Sequence, residues 1–336
     1  MSGPVVAVAL TPPVRELFFD PADWAALRRL AEVRLPPPGH DVGDEATLAR
    51  LLADADVVVT GWGTAPLTGG LLAGAPRLRL LAHTGASVKP FVTPESFARG
   101  VRVTQAGEAM AYAVGEQALA LTLALLHGLH RFDHALRTGV DWARAKAAPP
   151  RRELRGATVG VVGASRTGRA YLGLVRALGA RVLVTDPYLD DAGAAALGVE
   201  RVALDELLSR SLVVSLHAPV LPGTVGMIGA RELGLLADGA LLVNTARAAL
   251  VDEAALLAAL RAGRIDAALD VFHAEPLPVD HPLRALPNVL LTPHESAGTV
   301  QSRRRAAGIV LAEIDRFVRG DPLRHEVRPE QLPTTG

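Results

Sequence analysis

Six short apolar runs occupy the second half of the chain: Thr158 to Val162, Val182 to Thr185, Leu212 to His217, Leu241 to Asn244, Ala267 to Val271 and Val289 to Thr292. Runs this short and this continuously apolar suit strands buried on both faces, and strands that alternate with helical stretches assemble into a parallel sheet, because each crossover lays a helix on a face. A first series of the same kind precedes it. Its members are Val5 to Leu10, Pro21 to Glu32, Asp56 to Thr60, Leu67 to Ala73, Leu78 to His83, Thr93 to Ala98 and Val101 to Thr104. Between the two series stand a long Ala/Leu-rich helix from Glu108 to about Leu129 and a polar, basic stretch that ends at Pro149 and Pro150. The expected fold class is α/β with two doubly wound parallel sheets, and 336 residues is too long for one ordinary core.

Composition narrows the function. Hydrophobic residues make up 49% and charged ones 21%, which argues for a packed chain and against disorder. Thirty-five basic residues balance 35 acidic ones, so no electrostatic footprint for nucleic acid or an anionic membrane is expected, and the partner should be a small molecule. With no cysteine there is no disulfide framework, thiolate metal site or cysteine nucleophile, and a cytoplasmic location is expected. Met1 to Leu10 lacks the pattern of a signal peptide, and the apolar region Ala118 to Leu129 reads as too short to cross a bilayer.

The run Val159 to Val162 leads into Gly163-Ala164-Ser165-Arg166-Thr167-Gly168. Gly163 and Gly168 take the first and third places of a dinucleotide-binding G-x-G-x-x-G turn, where one makes the tight turn and the other lets helix and strand approach. Ser165 takes the second place, and its hydroxyl either donates to a phosphate oxygen or crowds the dinucleotide. Asp186 ends the next run, at the separation of roughly 20 residues where an acid bonds the ribose hydroxyls of NAD and repels the extra phosphate of NADP. NAD is the expected cofactor, held by Gly163, Ser165, Arg166, Thr167, Gly168 and Asp186.

Ligands of open α/β sheets bind beyond the carboxyl ends of the strands, and the unusual polar residues collect there. His217-Ala218-Pro219, Asn244-Thr245-Ala246-Arg247, Asp270 and Pro293-His294 each follow a run. Reduction of a 2-oxo acid needs a cation for the carboxylate, a proton donor for the carbonyl oxygen and a group that keeps the donor protonated. Arg247, His294 and Glu275 have the right chemistry for these roles in turn. No metal is expected.

Three segments, Asn244 to Glu253, Leu269 to Leu277 and Thr292-Pro293-His294, together resemble the D-isomer-specific 2-hydroxyacid dehydrogenase family. The resemblance is strongest from about Leu154 to His294. It implies a Rossmann cofactor domain (106–296) inserted into a flavodoxin-like substrate domain (1–105 with 297–336), a cleft between them, and a homodimer formed through the cofactor domain. It also implies catalytic places for Arg247, Glu275 and His294, a nicotinamide contact at Asp270, and further cofactor contacts at His217, Ala218, Pro219, Thr224, Thr245 and Ala246. The turn Gly85-Ala86-Ser87-Val88-Lys89-Pro90 resembles the family's carboxylate-binding loop, so Ala86, Ser87, Val88 and Lys89 are expected at the substrate, with Trp62 walling the same side.

Departures bear on the substrate. Ser87 stands where glycine is common, Lys89 where aspartate is common, and Glu295-Ser296-Ala297-Gly298 where an apolar residue and small ones usually follow the histidine. Lys89 is a cation that could read a second negative charge on the substrate, or extend into solvent. Three rival readings stand beside a 2-oxo acid reductase: a formate- or phosphite-type dehydrogenase, a nucleotide-sensing binding protein of the same fold, and a phosphoglycerate dehydrogenase, whose regulatory domain is not expected after residue 336.

Overall fold

The computed structural model describes residues 3–147 and 149–334 and divides into two units, Met1–Met110 with Gly298–Gly336, and Ala111–Ala297. The first division falls inside the helix Gly107–Leu126 and not ahead of it.

In the first unit five strands, β1 (Val5–Ala9), β2 (Glu32–Arg34), β3 (Val57–Thr60), β4 (Leu80–His83) and β5 (Arg102–Gln105), pair in parallel in the order β2-β1-β3-β4-β5. This is the flavodoxin-like order. Every residue of β1, β3 and β4 is buried, as central strands covered on both faces demand. The register sets Ala9, Thr60, His83 and Gln105 in one row, so the loops that follow them open on the same edge.

The second unit holds seven strands, β6 (Thr158–Val162), β7 (Arg181–Thr185), β8 (Glu200–Arg201), β9 (Val213–Leu216), β10 (Ala240–Asn244), β11 (Ile265–Leu269) and β12 (Val289–Leu291). All are parallel, in the order β12-β11-β10-β9-β6-β7-β8. The order reverses between β6 and β9, the switch point at which such sheets bind dinucleotides. Here too the register aligns the carboxyl ends: Val162, Leu216, Asn244, Leu269 and Leu291 form one row.

Several elements escape the sequence pattern. The strands β2 and β8, three and two residues long and largely exposed, carry no apolar run. The basic stretch before Pro149 contains two helices, Leu129–Arg137 and Trp142–Lys146; the first is pinned to β11 by a two-pronged bond from the Arg131 guanidinium to the half-buried Asp266 carboxylate, at 2.6 and 2.7 Å. Leu129 opens this first helix, and the apolar segment from Ala118 belongs, as far as Leu126, to a 20-residue helix that starts at Gly107 and is, by length and composition, long and apolar enough to cross a membrane. One stripe of it, Ala118, Leu121, Leu125 and Leu126, is buried against Val159, Val161 and Tyr171, and Thr122 Oγ1 lies 2.8 Å from the Tyr171 hydroxyl.

In the first unit the last long helix, Val300–Arg319, carries Glu313, which is 1% exposed. Its Oε2 accepts the backbone amides of Arg324 and His325, at 2.9 and 3.2 Å, and so turns the chain back toward β5, where Val327 N–H donates to the Val103 carbonyl. Glu313→Ala removes the acceptor of these two amides and should destabilise this unit by about 2 to 4 kcal/mol. Urea denaturation and limited proteolysis after residue 320 are the measurements.

Candidate active site

Gly163 closes β6 at φ 97°, and a side chain there would place its Cβ 2.7 Å from Ala218 N and 2.9 Å from the His217 carbonyl carbon. At Gly168 a Cβ would meet the Gly163 carbonyl oxygen. Both positions therefore need glycine to let the turn, β9 and the helix Arg166–Ala177 close on one another. Ser165 is the N-cap of that helix: its hydroxyl accepts the Gly168 amide at 3.3 Å and lies 3.1 Å from Thr167 Oγ1. The serine in the second place thus caps the helix, which leaves the amides of Arg166 and Thr167 at a positive helix terminus suited to a pyrophosphate.

Asp186 follows β7 with both carboxylate oxygens fixed, Oδ2 by Ala164 N–H at 2.7 Å and Oδ1 by Tyr188 N–H at 2.8 Å. The acid is thereby tied to the glycine turn itself. On the row of strand ends, Thr245 is buried and its hydroxyl has no protein partner among the described residues. A buried orphan hydroxyl in that row is what a ligand-binding edge presents. The glycine turn, the helix terminus, the acid and this hydroxyl together fit a dinucleotide.

Two of the expected cofactor contacts differ in their side chains. His217 is 3% exposed, stacks on Tyr171 with ring centres 5.1 Å apart, and has Nε2 2.8 Å from Ser215 Oγ; burial lowers its pKa to about 3. Its ring belongs to the core, while its backbone and Cβ border the glycine turn at Gly163 and Gly168. The Thr224 hydroxyl is engaged by its own turn, donating to the Pro219 carbonyl at 2.7 Å and accepting Leu221 N–H at 2.8 Å.

Beyond β10, the buried Asn244 side chain bonds the Ala246 amide and the Arg247 carbonyl, each at 3.0 Å, and so shapes the turn that presents Arg247. Sequence reading named the arginine and missed the asparagine that aims it. The Arg247 guanidinium donates to the Ala246 carbonyl at 2.6 Å, and no carboxylate lies within ion-pair distance among the described residues. Burial lowers its pKa, opposed by the charge of Glu275. Glu275 takes the Phe272 amide on Oε1 at 2.9 Å and faces His294 Nδ1 with Oε2 at 2.7 Å. His294, with Arg247, Glu275, Ala248, Phe272 and His273, lines a cavity of about 370 Å³. His273, unnoticed in the sequence, is fixed by a 3.1 Å contact between Nε2 and the Val251 carbonyl.

Asp270 is fully buried and receives four hydrogen bonds, from Thr292 Oγ1 (2.5 Å) and Glu295 N–H (3.2 Å) on Oδ1, and from Ser296 N–H (3.0 Å) and Ser296 Oγ (2.5 Å) on Oδ2. A carboxylate has about four acceptor sites. In this structure they are all engaged by the segment around His294.

The remaining expected residues belong to the first unit. The loop after β4 carries Ala86 and Ser87, both half-buried, and Lys89, exposed; Trp62 after β3 is 47% exposed. The Val88 side chain is wholly buried in the core of that unit, so only its backbone can meet a substrate. Among the described residues, no backbone acceptor takes the amides of Ala86, Ser87 or Val88. Beneath the loop, His83 is buried against Phe91 with Nδ1 3.0 Å from Thr60 Oγ1, and burial lowers its pKa to about 4.

Residues 119–296 match the model of the D-isomer specific 2-hydroxyacid dehydrogenase family, NAD binding domain. The chain belongs to this family. Its second unit is the family's NAD binding domain, and NAD is its cofactor. The chain is 33% identical over 322 residues to D-3-phosphoglycerate dehydrogenase of Methanocaldococcus jannaschii, an overlap covering 95% of this chain and 60% of that one. It spans about 55 to 60% of the length of several such relatives. To the glyoxylate reductase of Aeropyrum pernix it is 34% identical over 290 residues, 85% of this chain and 84% of that one. The crystal structure of a Thermus thermophilus protein, TT0316, superposes with a TM-score of 0.83 at 29% identity, covering 96% of this chain and all of the other.

Because His217 stays neutral in the fold down to about pH 3 while an unfolded histidine takes up a proton near pH 6.5, the unfolded state binds more protons below pH 6.5. Stability should therefore fall as pH drops from 6.5 toward 3, with a limiting slope of about 1.4 kcal/mol per pH unit from this one group. Urea midpoints at about pH 6.5, 5.5 and 4.5 should show a shallower decline in His217→Gln than in the wild type.

Proposed function

We propose that this protein is an NAD-dependent 2-hydroxyacid dehydrogenase that interconverts a small 2-oxo acid and its D-2-hydroxy acid. The observation that carries this reading is the 2.7 Å His294–Glu275 pair in the same cavity as an arginine without a carboxylate partner among the described residues. Bound NADH supplies the hydride. Arg247 holds the substrate carboxylate through its planar guanidinium. Glu275 Oε2 accepts a hydrogen bond from His294 Nδ1–H, which fixes the orientation of the ring. Nε2, which has no protein partner among the described residues, then delivers a proton to the carbonyl oxygen as the alcohol forms, and takes it back in the reverse direction. The same reading includes a homodimer through the NAD unit. It is supported by Leu129, Leu136 and Trp142, which are exposed on the helices Leu129–Arg137 and Trp142–Lys146.

The test is the loss of NADH absorbance with a panel of 2-oxo acids. His294→Ala should lower turnover by about 10²- to 10⁴-fold with NADH binding nearly unchanged, and Glu275→Gln should lower kcat by about tenfold to a hundredfold with KM little changed, because the ring loses the carboxylate that orients it. Turnover that survives in His294→Ala, or a wild-type kcat in Glu275→Gln, defeats these roles.

Asp186 selects NAD in this reading, since its fixed carboxylate repels a ribose phosphate. Asp186→Ala should weaken NADH binding and narrow the preference over NADPH, measured as the ratio of the two dissociation constants. A wild-type protein that favours NADPH overturns it.

A further inference from the structure

We propose that Ser296 is a positioning residue whose hydroxyl, through the buried Asp270, holds His294 against Glu275. The inference rests on the proposed role of His294 and goes beyond it. His294 is the one non-glycine among the described residues with a positive φ, 56°, a conformation that side chains with a Cβ adopt only where the surroundings impose it. It makes no bond to Asp270. Its flanks do: Thr292 is anchored on one side, Glu295 and Ser296 on the other, by the four bonds to the two oxygens of that carboxylate. The His294 amide closes the segment by donating to the Thr292 carbonyl at 3.1 Å. The histidine is thus the apex of a short arch whose two feet stand on one carboxylate.

Three of those donors are a threonine hydroxyl and two backbone amides. The fourth is a side-chain hydroxyl at a place where the family usually has a small residue, and it makes one of the two shortest bonds in the set, 2.5 Å. Ser296 is 4% exposed, so water cannot readily take its place. Without that hydroxyl, Oδ2 keeps a single donor, and the second foot of the arch is held by the Glu295 and Ser296 amides alone. His294 then samples placements away from Glu275, which costs turnover more than binding.

Ser296→Ala is the decisive variant, with Ser296→Thr as the form that retains a hydroxyl. Three quantities are measured on the full chain: steady-state kinetics with NADH and the preferred 2-oxo acid, the NADH dissociation constant by fluorescence, and the downfield proton resonance of His294 Nδ1, assigned by its disappearance in Glu275→Gln. Ser296→Ala should lower kcat about tenfold to a hundredfold, leave the NADH dissociation constant and KM little changed, and broaden the Nδ1 resonance. Ser296→Thr should recover kcat and the resonance together. Wild-type kcat and an unaltered resonance in Ser296→Ala overturn the proposal. So does a loss of NADH affinity that accounts for the whole loss of rate, since that is a general loosening of the unit. If the wild type reduces no 2-oxo acid, the functional reading fails by itself, and the resonance in Ser296→Ala still decides whether Ser296 holds the pair.

Discussion

The parallel ladder of the NAD unit fixes where chemistry can occur. Because Val162, Leu216, Asn244, Leu269 and Leu291 lie in register, the next residue of each strand enters the same edge of the sheet. Parallel pairing sends every return path over a face of the sheet as a crossover, so the carboxyl edge is left to short turns. A shift of one residue in any of these pairings would reverse the faces of that strand and bury its functional residue in the core. The glycine turn, Thr245, Asp270 and the segment leading to His294 are neighbours for this reason, although more than a hundred positions separate the first from the last.

Within that frame the placement of each side chain is settled by backbone hydrogen bonds more than by contacts between the site residues. Asn244 shapes the turn of Arg247, the Phe272 amide holds Glu275, the Ala164 amide holds Asp186, and Asp270 holds both flanks of His294. Each is a side chain bonding a backbone group a short step away in space, the arrangement that keeps a polar group at a fixed angle without occupying a second side chain. The residues that touch a ligand are therefore few, and the residues that aim them are as numerous.

This division explains what could be read from the chain alone. Buried central strands announce themselves as apolar runs, so β1, β3 and β4 and six strands of the second sheet were legible, as were Gly163, Gly168, Asp186, Arg247, Glu275 and His294, whose chemistry is unusual at strand ends. The edge strands β2 and β8 were not, since an exposed strand of two or three residues has no periodicity to show. Nor were the helices after Leu126, whose polar faces mask a moderate apolar stripe. Two of the aiming side chains carried no assigned role for a different reason. Asn244 and Ser296 are ordinary polar residues in sequence, and only the path of the backbone makes them partners of Arg247 and of the His294 segment.

The histidines show the same limit from the other side. His217 and His294 both follow an apolar run, and nothing in their immediate sequence separates a core residue from a proton donor. The fold separates them by direction and burial. The His217 ring turns under the sheet onto Tyr171, where desolvation disfavours its charge, and its one polar contact is the neutral Ser215 hydroxyl. His294 is carried by a left-handed residue out to the cavity and meets a carboxylate at 2.7 Å. Of the two, only His294 has both a carboxylate partner and a place in the lining of a cavity. The left-handed backbone at His294 belongs to this difference: with the His294 amide donating to the Thr292 carbonyl, it turns the chain beyond β12 at the residue whose Nδ1 meets Glu275.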